Sequence, residues 1–158
     1  GPPRPFDSWT LSGGAPPGLG GNVNRESYHR GAKLFRQMAG QEAEKIRRRW
    51  RELSPDFERY VLGFLAGEIW TRPVLDLRTR SLVTIAALAA AGRQQGLELN
   101  FRMALNNGAS RDEIIETLLH LAPYIGFPTV WEALTLAARV FSEFDHPVRR
   151  SGHESRRR

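Results

Sequence analysis

The sequence predicts an all-α protein, and three observations carry that expectation. From Arg25 to Phe144, apolar residues recur at three- and four-residue intervals, the repeat of a helix face. Helix start and stop signals punctuate these runs. No segment alternates with the two-residue period of a strand. The pattern predicts about six to seven helices in one domain over residues 25–145. A Pro/Gly-rich arm precedes it at 1–24 and a basic tail follows at 146–158.

The first helix is expected in "RESYHRGAKLFRQMAG", with Tyr28, Leu34, Phe35 and Met38 near one face and Gly40 as its stop. "QEAEKIRRRWREL" follows as a charged helix whose apolar stripe is Ile46, Trp50 and Leu53. Ser54 and Pro55 combine an N-cap with a proline at the first helical position. Phe57, Tyr60, Val61, Phe64 and Leu65 are the expected apolar face of the third helix, up to Gly67. Asp76 caps "LRTRSLVTIAALAAAG", which is apolar nearly all round and is expected to be the central buried helix. "QQGLELNFRMALNNG" ends on an Asn-Gly stop. Ser110 and Glu113 form a capping box for "RDEIIETLLHLA". Pro123, Gly126 and Pro128 are expected to break the chain around Tyr124, before a last helix in "TVWEALTLAARVFSEF".

A chain of 158 residues supports one sizeable core. The absence of cysteine removes disulfides, thiolate metal sites and thiol catalysis, and fits a reducing, cytoplasmic compartment. The histidines, at 29, 120, 146 and 153, do not fall at ligand spacing, so neither a metal nor an organic cofactor is expected. The longest apolar run, "LVTIAALAAA", is about half a membrane span, and no apolar stretch of signal-peptide type follows Arg4. The formal charge of +6 suggests a nucleic-acid partner, but its distribution argues against one. Residues 52–145 carry eight arginines against twelve acids, and the excess positive charge sits in "RRRWR" and the C-terminal tail. Such runs are usually solvated faces, and a DNA-reading core is itself basic. A helix-turn-helix in "SRDEIIETLLHLAPYIGFPTVWEAL" fails because its second helix opens on Thr-Val-Trp-Glu with no base.

One stretch carries a chemical question. In "GEIWTRP", residues 67–73, Glu68 stands against Ile69 and Trp70 after an apolar run. An acid there is costly unless it is paired or its chemistry is used. It is either a structural partner of Arg72 or Arg80, or a carboxyl whose pKa burial raises until it can deliver a proton.

"GEIWTRPVLDLRTRSLVTIAALAAAGR" and "LELNFRMALNNGASRDEIIETLLHLAPYIGFP", with "YHRGAKLFRQMAG" before them, resemble the carboxymuconolactone decarboxylase family. The Glu-Ile-Trp-Thr-Arg-Pro block, Thr79 to Leu82 and Asn106-Asn107-Gly108 are the most specific parts. The resemblance implies an all-helical fold, assembly as a trimer or hexamer, and cofactor-free decarboxylation. Three departures stand out. Asn100 replaces the histidine usual in the family; Ile125 stands where decarboxylases often have cysteine; and Thr129, Val130 and Trp131 replace small residues. Arg93 and Gly96 occupy the places of the Cys-x-x-Cys pair used by the superfamily's peroxidases, which excludes that chemistry.

The family's substrates lose a carboxylate vinylogous to a lactone carbonyl, so the substrate is its own electron sink. The protein must bind carboxylates, stabilise an oxyanion and return a proton to carbon. The resemblance therefore implies Glu68, Arg80 and His120 as catalytic candidates, and Trp70, Arg72, Asn100, Tyr124 and Trp131 as substrate-binding candidates, with no metal ligand. Bland alternatives remain open at this stage: core packing for the tryptophans, an exposed or interface position for His120, a surface position for Asn100. Loss of the histidine and a more apolar wall favour a divergent enzyme. It would decarboxylate, isomerise or cyclise a lactone or polyketide-like intermediate, as in secondary metabolism. The alternatives are an ordinary 4-carboxymuconolactone decarboxylase and a non-catalytic helical binding protein. The expected partners are a small carboxylate- or lactone-bearing molecule and further copies of the chain.

Overall fold

A computed structural model describes residues 23–147, among which helices account for all the regular structure. The arm before residue 23 and the tail after residue 147 lie outside the described residues. The described chain falls into two compact units, residues 23–36 with 42–72, and residues 37–41 with 73–147.

Helix α1 (Arg25–Ala39) begins in the first unit and stops in the second at Gly40, whose φ of +62 suits glycine best. The next helix, α2 (Ala43–Leu53), departs from the expected stripe. Leu53 is 65% exposed, whereas Arg47, from the run read as a solvated charged face, is buried. Ser54 caps α3 (Pro55–Tyr60), its hydroxyl accepting the Phe57 N–H at 3.2 Å. From Tyr60 the chain runs on into a nine-residue π-helix, Val61–Ile69. The expected face is replaced: Phe57, Tyr60 and Leu65 are exposed, and the buried positions are Glu58, Leu62, Gly63, Ala66, Gly67 and Trp70. The π-helix packs on α1 backbone to backbone. A Cβ on Gly31 would stand 1.7 Å from the Leu62 carbonyl oxygen, and one on Gly67 2.1 Å from that of Ser27.

The second unit is built from α4 (Leu77–Ala90), α5 (Gln94–Asn106), α6 (Arg111–Ile125) and α7 (Phe127–Asp145). Its core is apolar, with Ile85, Phe101, Ile114, Leu118 and Val140 fully sequestered. Helix α4 packs on α5 and α6, and α7 on both α5 and α6. Helix α4, expected to be the central buried helix, contacts all three other helices of its unit but is not buried as a whole. It buries one stripe, Ser81, Ile85 and Ala89, and leaves Val83 56% exposed. The alanines that make its sequence look apolar carry too little surface to demand burial. Caps fall where the sequence places them. Asp76 accepts the Thr79 N–H at 2.7 Å, and Ser110 and Glu113 form the reciprocal box. Pro123 does not break the chain, because α6 continues through it to Ile125. Near a helix end proline removes only one hydrogen bond, and the reversal is made by Gly126 at φ +93. Pro128 sits in the first turn of α7, where its missing N–H is not required. Ion pairs Arg78–Glu113, Arg102–Glu143 and Arg111–Asp145 join neighbouring helices at the surface, where such pairs contribute little.

Candidate functional site

Within the first unit the π-helix positions the acid singled out by the sequence. Its ladder closes with the Trp70 N–H on the Leu65 carbonyl at 3.0 Å, a five-residue step. That step sends Trp70 inward, to 8% exposure, and leaves Glu68 half-buried. Thr71 and Arg72 are exposed. The Gly67 carbonyl accepts two side-chain donors, Arg30 Nε at 2.8 Å and Thr71 Oγ1 at 2.7 Å. π-Helical turns recur at functional sites.

The fully sequestered acid of this unit is a different one. Glu58, 3% exposed, accepts the Tyr28 hydroxyl at 2.7 Å and Arg47 Nε at 3.2 Å. Arg47 also donates from Nη2 to the Tyr28 oxygen at 3.1 Å and from Nη1 to Glu44 at 2.9 Å. Burial alone would weaken the hold of Arg47 on its proton, but the hydrogen bonds to Tyr28 and Glu58 outweigh it and its pKa is raised. Every member has partners, so the network holds α1, α2 and α3 together. Sequence reasoning missed it. The only signal was Tyr28, in the "YHRGAKLF" stretch that carries the resemblance.

In the second unit, Arg80 lies in the first turn of α4, half-buried, with Nε donating to the Leu75 carbonyl at 3.1 Å. Asn100 is half-buried on α5, and its amide Nδ2 bonds back to the Gly96 carbonyl at 2.8 Å. His120 and Tyr124 share one exposed side of α6, with ring centroids 5.7 Å apart. Trp131, 74% exposed, opens onto a depression of about 350 Å³ lined by Leu119, Phe127, Pro128, Val130, Trp131 and Leu134. None of these side chains is charged. The structure thus joins His120 with Tyr124, places Trp131 in an apolar wall, and ties Arg80 and Asn100 to their own segments. Other motif residues are structural. The Asn107 amide donates to the buried Ser81 hydroxyl at 2.9 Å, and Asn106 to the Met38 carbonyl at 2.7 Å.

The helical fold and these motif positions define the class. Residues 55–139 match the carboxymuconolactone decarboxylase family, and the chain belongs to it. It is 34% identical to a 4-carboxymuconolactone decarboxylase of Acinetobacter baylyi over 121 residues, 76% of this chain and 90% of that one. A nitrosuccinic acid decarboxylase of Metarhizium robertsii is 29% identical over 77% of this chain and 85% of its own length. An uncharacterised 15.0 kDa protein of Paracoccus denitrificans is 32% identical over 72% of this chain and 94% of its own. The chain is therefore an enzyme of the decarboxylase family. Among the described residues, no helix is long and apolar enough to cross a membrane.

Proposed function

We propose that this enzyme acts without a cofactor on a lactone or polyketide-like intermediate less charged than carboxymuconolactone, decarboxylating it or moving a proton within it. The observation that carries the reading is Glu68, half-buried at the end of a π-helix and next but one to the buried Trp70. In the decarboxylating form, the bond to the substrate carboxylate breaks and its electron pair flows to the lactone carbonyl oxygen as carbon dioxide leaves. Arg80 holds the carboxylate or the developing oxyanion. Glu68 then delivers a proton to carbon and regains one from solvent. Isomerisation or cyclisation uses the same proton transfer without loss of carbon dioxide. Tyr124 and Trp131 line the apolar side of the substrate, Trp70 and Arg72 flank the acid, and His120 is a second proton carrier.

Divergence from the ordinary decarboxylase rests on Asn100. An amide cannot carry a proton as the family's histidine can, and its Nδ2 is committed to Gly96. A role in secondary metabolism follows from the same argument, and the lack of cysteine supports a reducing, cytoplasmic setting. We assign the exposed Tyr124, Phe127 and Trp131 also to packing between copies in a trimer or hexamer, since Phe127 and Trp131, 70% and 74% exposed, line one apolar depression and Tyr124 nearby in sequence is 75% exposed. Light scattering showing only monomer at micromolar concentration contradicts the assembly.

The reaction is tested by offering the enzyme 4-carboxymuconolactone, nitrosuccinate and a neutral-chain lactone acid, and following carbon dioxide release and product by mass spectrometry. The expected result is preference for the lactone with the apolar substituent by at least about tenfold in kcat/KM, the worth of one or two buried methylenes. Efficient turnover of 4-carboxymuconolactone by the unaltered chain returns it to the ordinary catabolic reading. Asn100→His is expected to raise that activity if only the titratable group was lost, and to leave it unchanged if the pocket was reshaped.

A further inference from the structure

The Gly67 carbonyl and the Glu68 N–H belong to one peptide unit, which is planar. Whatever fixes that carbonyl oxygen fixes the plane from which the Glu68 Cα–Cβ bond departs. Gly67 is the wrong residue to hold a plane by itself, because glycine is the most permissive residue in φ and ψ. It is nevertheless required, since a Cβ there would stand 2.1 Å from the Ser27 carbonyl oxygen. The chain needs glycine for close packing and rigidity for the residue that follows.

Two donors meet on that oxygen, Arg30 Nε at 2.8 Å and Thr71 Oγ1 at 2.7 Å. They come from opposite directions in sequence, one from α1 and one from the turn after the π-helix. The backbone cannot supply the bond, because the Arg72 N–H turns to Ile69 at 3.2 Å instead. The remaining charge partner of Arg30 is Glu26, at 4.0 Å across an exposed helix turn, a contact of little energetic weight. The specific bond of Arg30 is the one to Gly67.

From this arrangement we infer that Arg30 is a positioning residue for Glu68: with Thr71 it clamps the Gly67 carbonyl and so fixes the direction of the acid at the end of the π-helix. The catalytic consequence rests on the reading of Glu68 as the proton donor; the structural claim does not. A misplacement of about 1 Å at a proton donor lowers turnover on the order of 10²-fold.

The test uses the full chain labelled with ¹³C at the glutamate carboxyls, and Glu68→Gln assigns the Glu68 resonance by its disappearance. In Arg30→Gln that resonance shifts, while the Glu58 resonance, held by Tyr28 and Arg47, stays in place. Arg30→Lys, which keeps a charge and a donor, remains nearer the unaltered protein. Thr71→Val, which removes the other donor at little risk to the fold, moves the Glu68 resonance as well. A Glu68 resonance unmoved in both Arg30→Gln and Thr71→Val overturns the inference. With 4-carboxymuconolactone or the preferred lactone as probe, Arg30→Gln is expected to lower kcat about 10–100-fold with KM within about threefold. If Glu68→Gln is fully active while the resonance still moves, the proton-donor reading fails and the clamp stands.

Discussion

The two units of the chain bury different kinds of groups. The second, α4 to α7, is sealed by an aliphatic and aromatic cluster around Phe101, Ile114 and Leu118. The first buries Arg47 and Glu58 alongside Leu62 and Ala66, and brings backbone against backbone at Gly31 and Gly67. An apolar core tolerates exchange among side chains of similar volume. A satisfied ion network and a glycine crossing admit few alternatives, because each donor has a fixed acceptor. The candidate acid Glu68 sits on the exacting unit, where the backbone that carries it is pinned. The tolerant unit carries the exposed apolar depression around Trp131.

The largest expected effect comes from breaking the polar network. Glu58→Ala strands Arg47 and is expected to destabilise the protein by about 3–5 kcal/mol, measured by urea unfolding. Glu58→Leu combined with Arg47→Met removes both charges and is expected to recover most of that loss. A double variant as unstable as the single one would mean that packing, and not the stranded charge, governs the first unit. In the apolar unit, Leu118→Ala is expected to cost about 2.7–5 kcal/mol, and Leu118→Met under about 1.5 kcal/mol. Equal losses for the two would contradict a core tolerant of volume-conserving change.

The smallest effect is local and depends on pH. Hydrogen bonds from Thr79, through its side chain and its backbone amide, hold the Asp76 carboxyl below its ordinary value of 3.8. A depressed carboxylate contributes stability above its unfolded pKa and loses it as pH falls through the folded one. Asp76→Asn keeps the cap and removes the titration. Below about pH 4 the unaltered chain should therefore lose melting temperature relative to the variant. A constant difference between them across that range would show that the cap is not titrating.

Much of this organisation was legible in the sequence where the causes are local. Ser54, Asp76, and Ser110 with Glu113 act within three residues of themselves, so their spacing alone marks helix starts. The π-helix was not legible. "VLGFLAGEI" satisfies an ordinary helical pattern equally well, and the wider winding is accompanied by the approach of α1 at Gly31 and Gly67. Arg47 looked like solvated charge because its buried partners Glu58 and Tyr28 lie 11 and 19 residues away. Asn100 was marked only by its place in the family pattern; its bond to Gly96 is one helical turn long and leaves no trace in composition. Glu68 was legible because an acid between an apolar run and a tryptophan is conspicuous on its own, whatever fold surrounds it.

The central claim is that Glu68 supplies the proton, and turnover by Glu68→Gln on the preferred lactone substrate tests it most directly. The amide keeps the shape and removes the proton, so kcat is expected to fall about 10²–10⁴-fold, with a melting temperature close to that of the unaltered chain. Full activity in Glu68→Gln would contradict the account and leave Glu68 as a surface acid at the end of a π-helix.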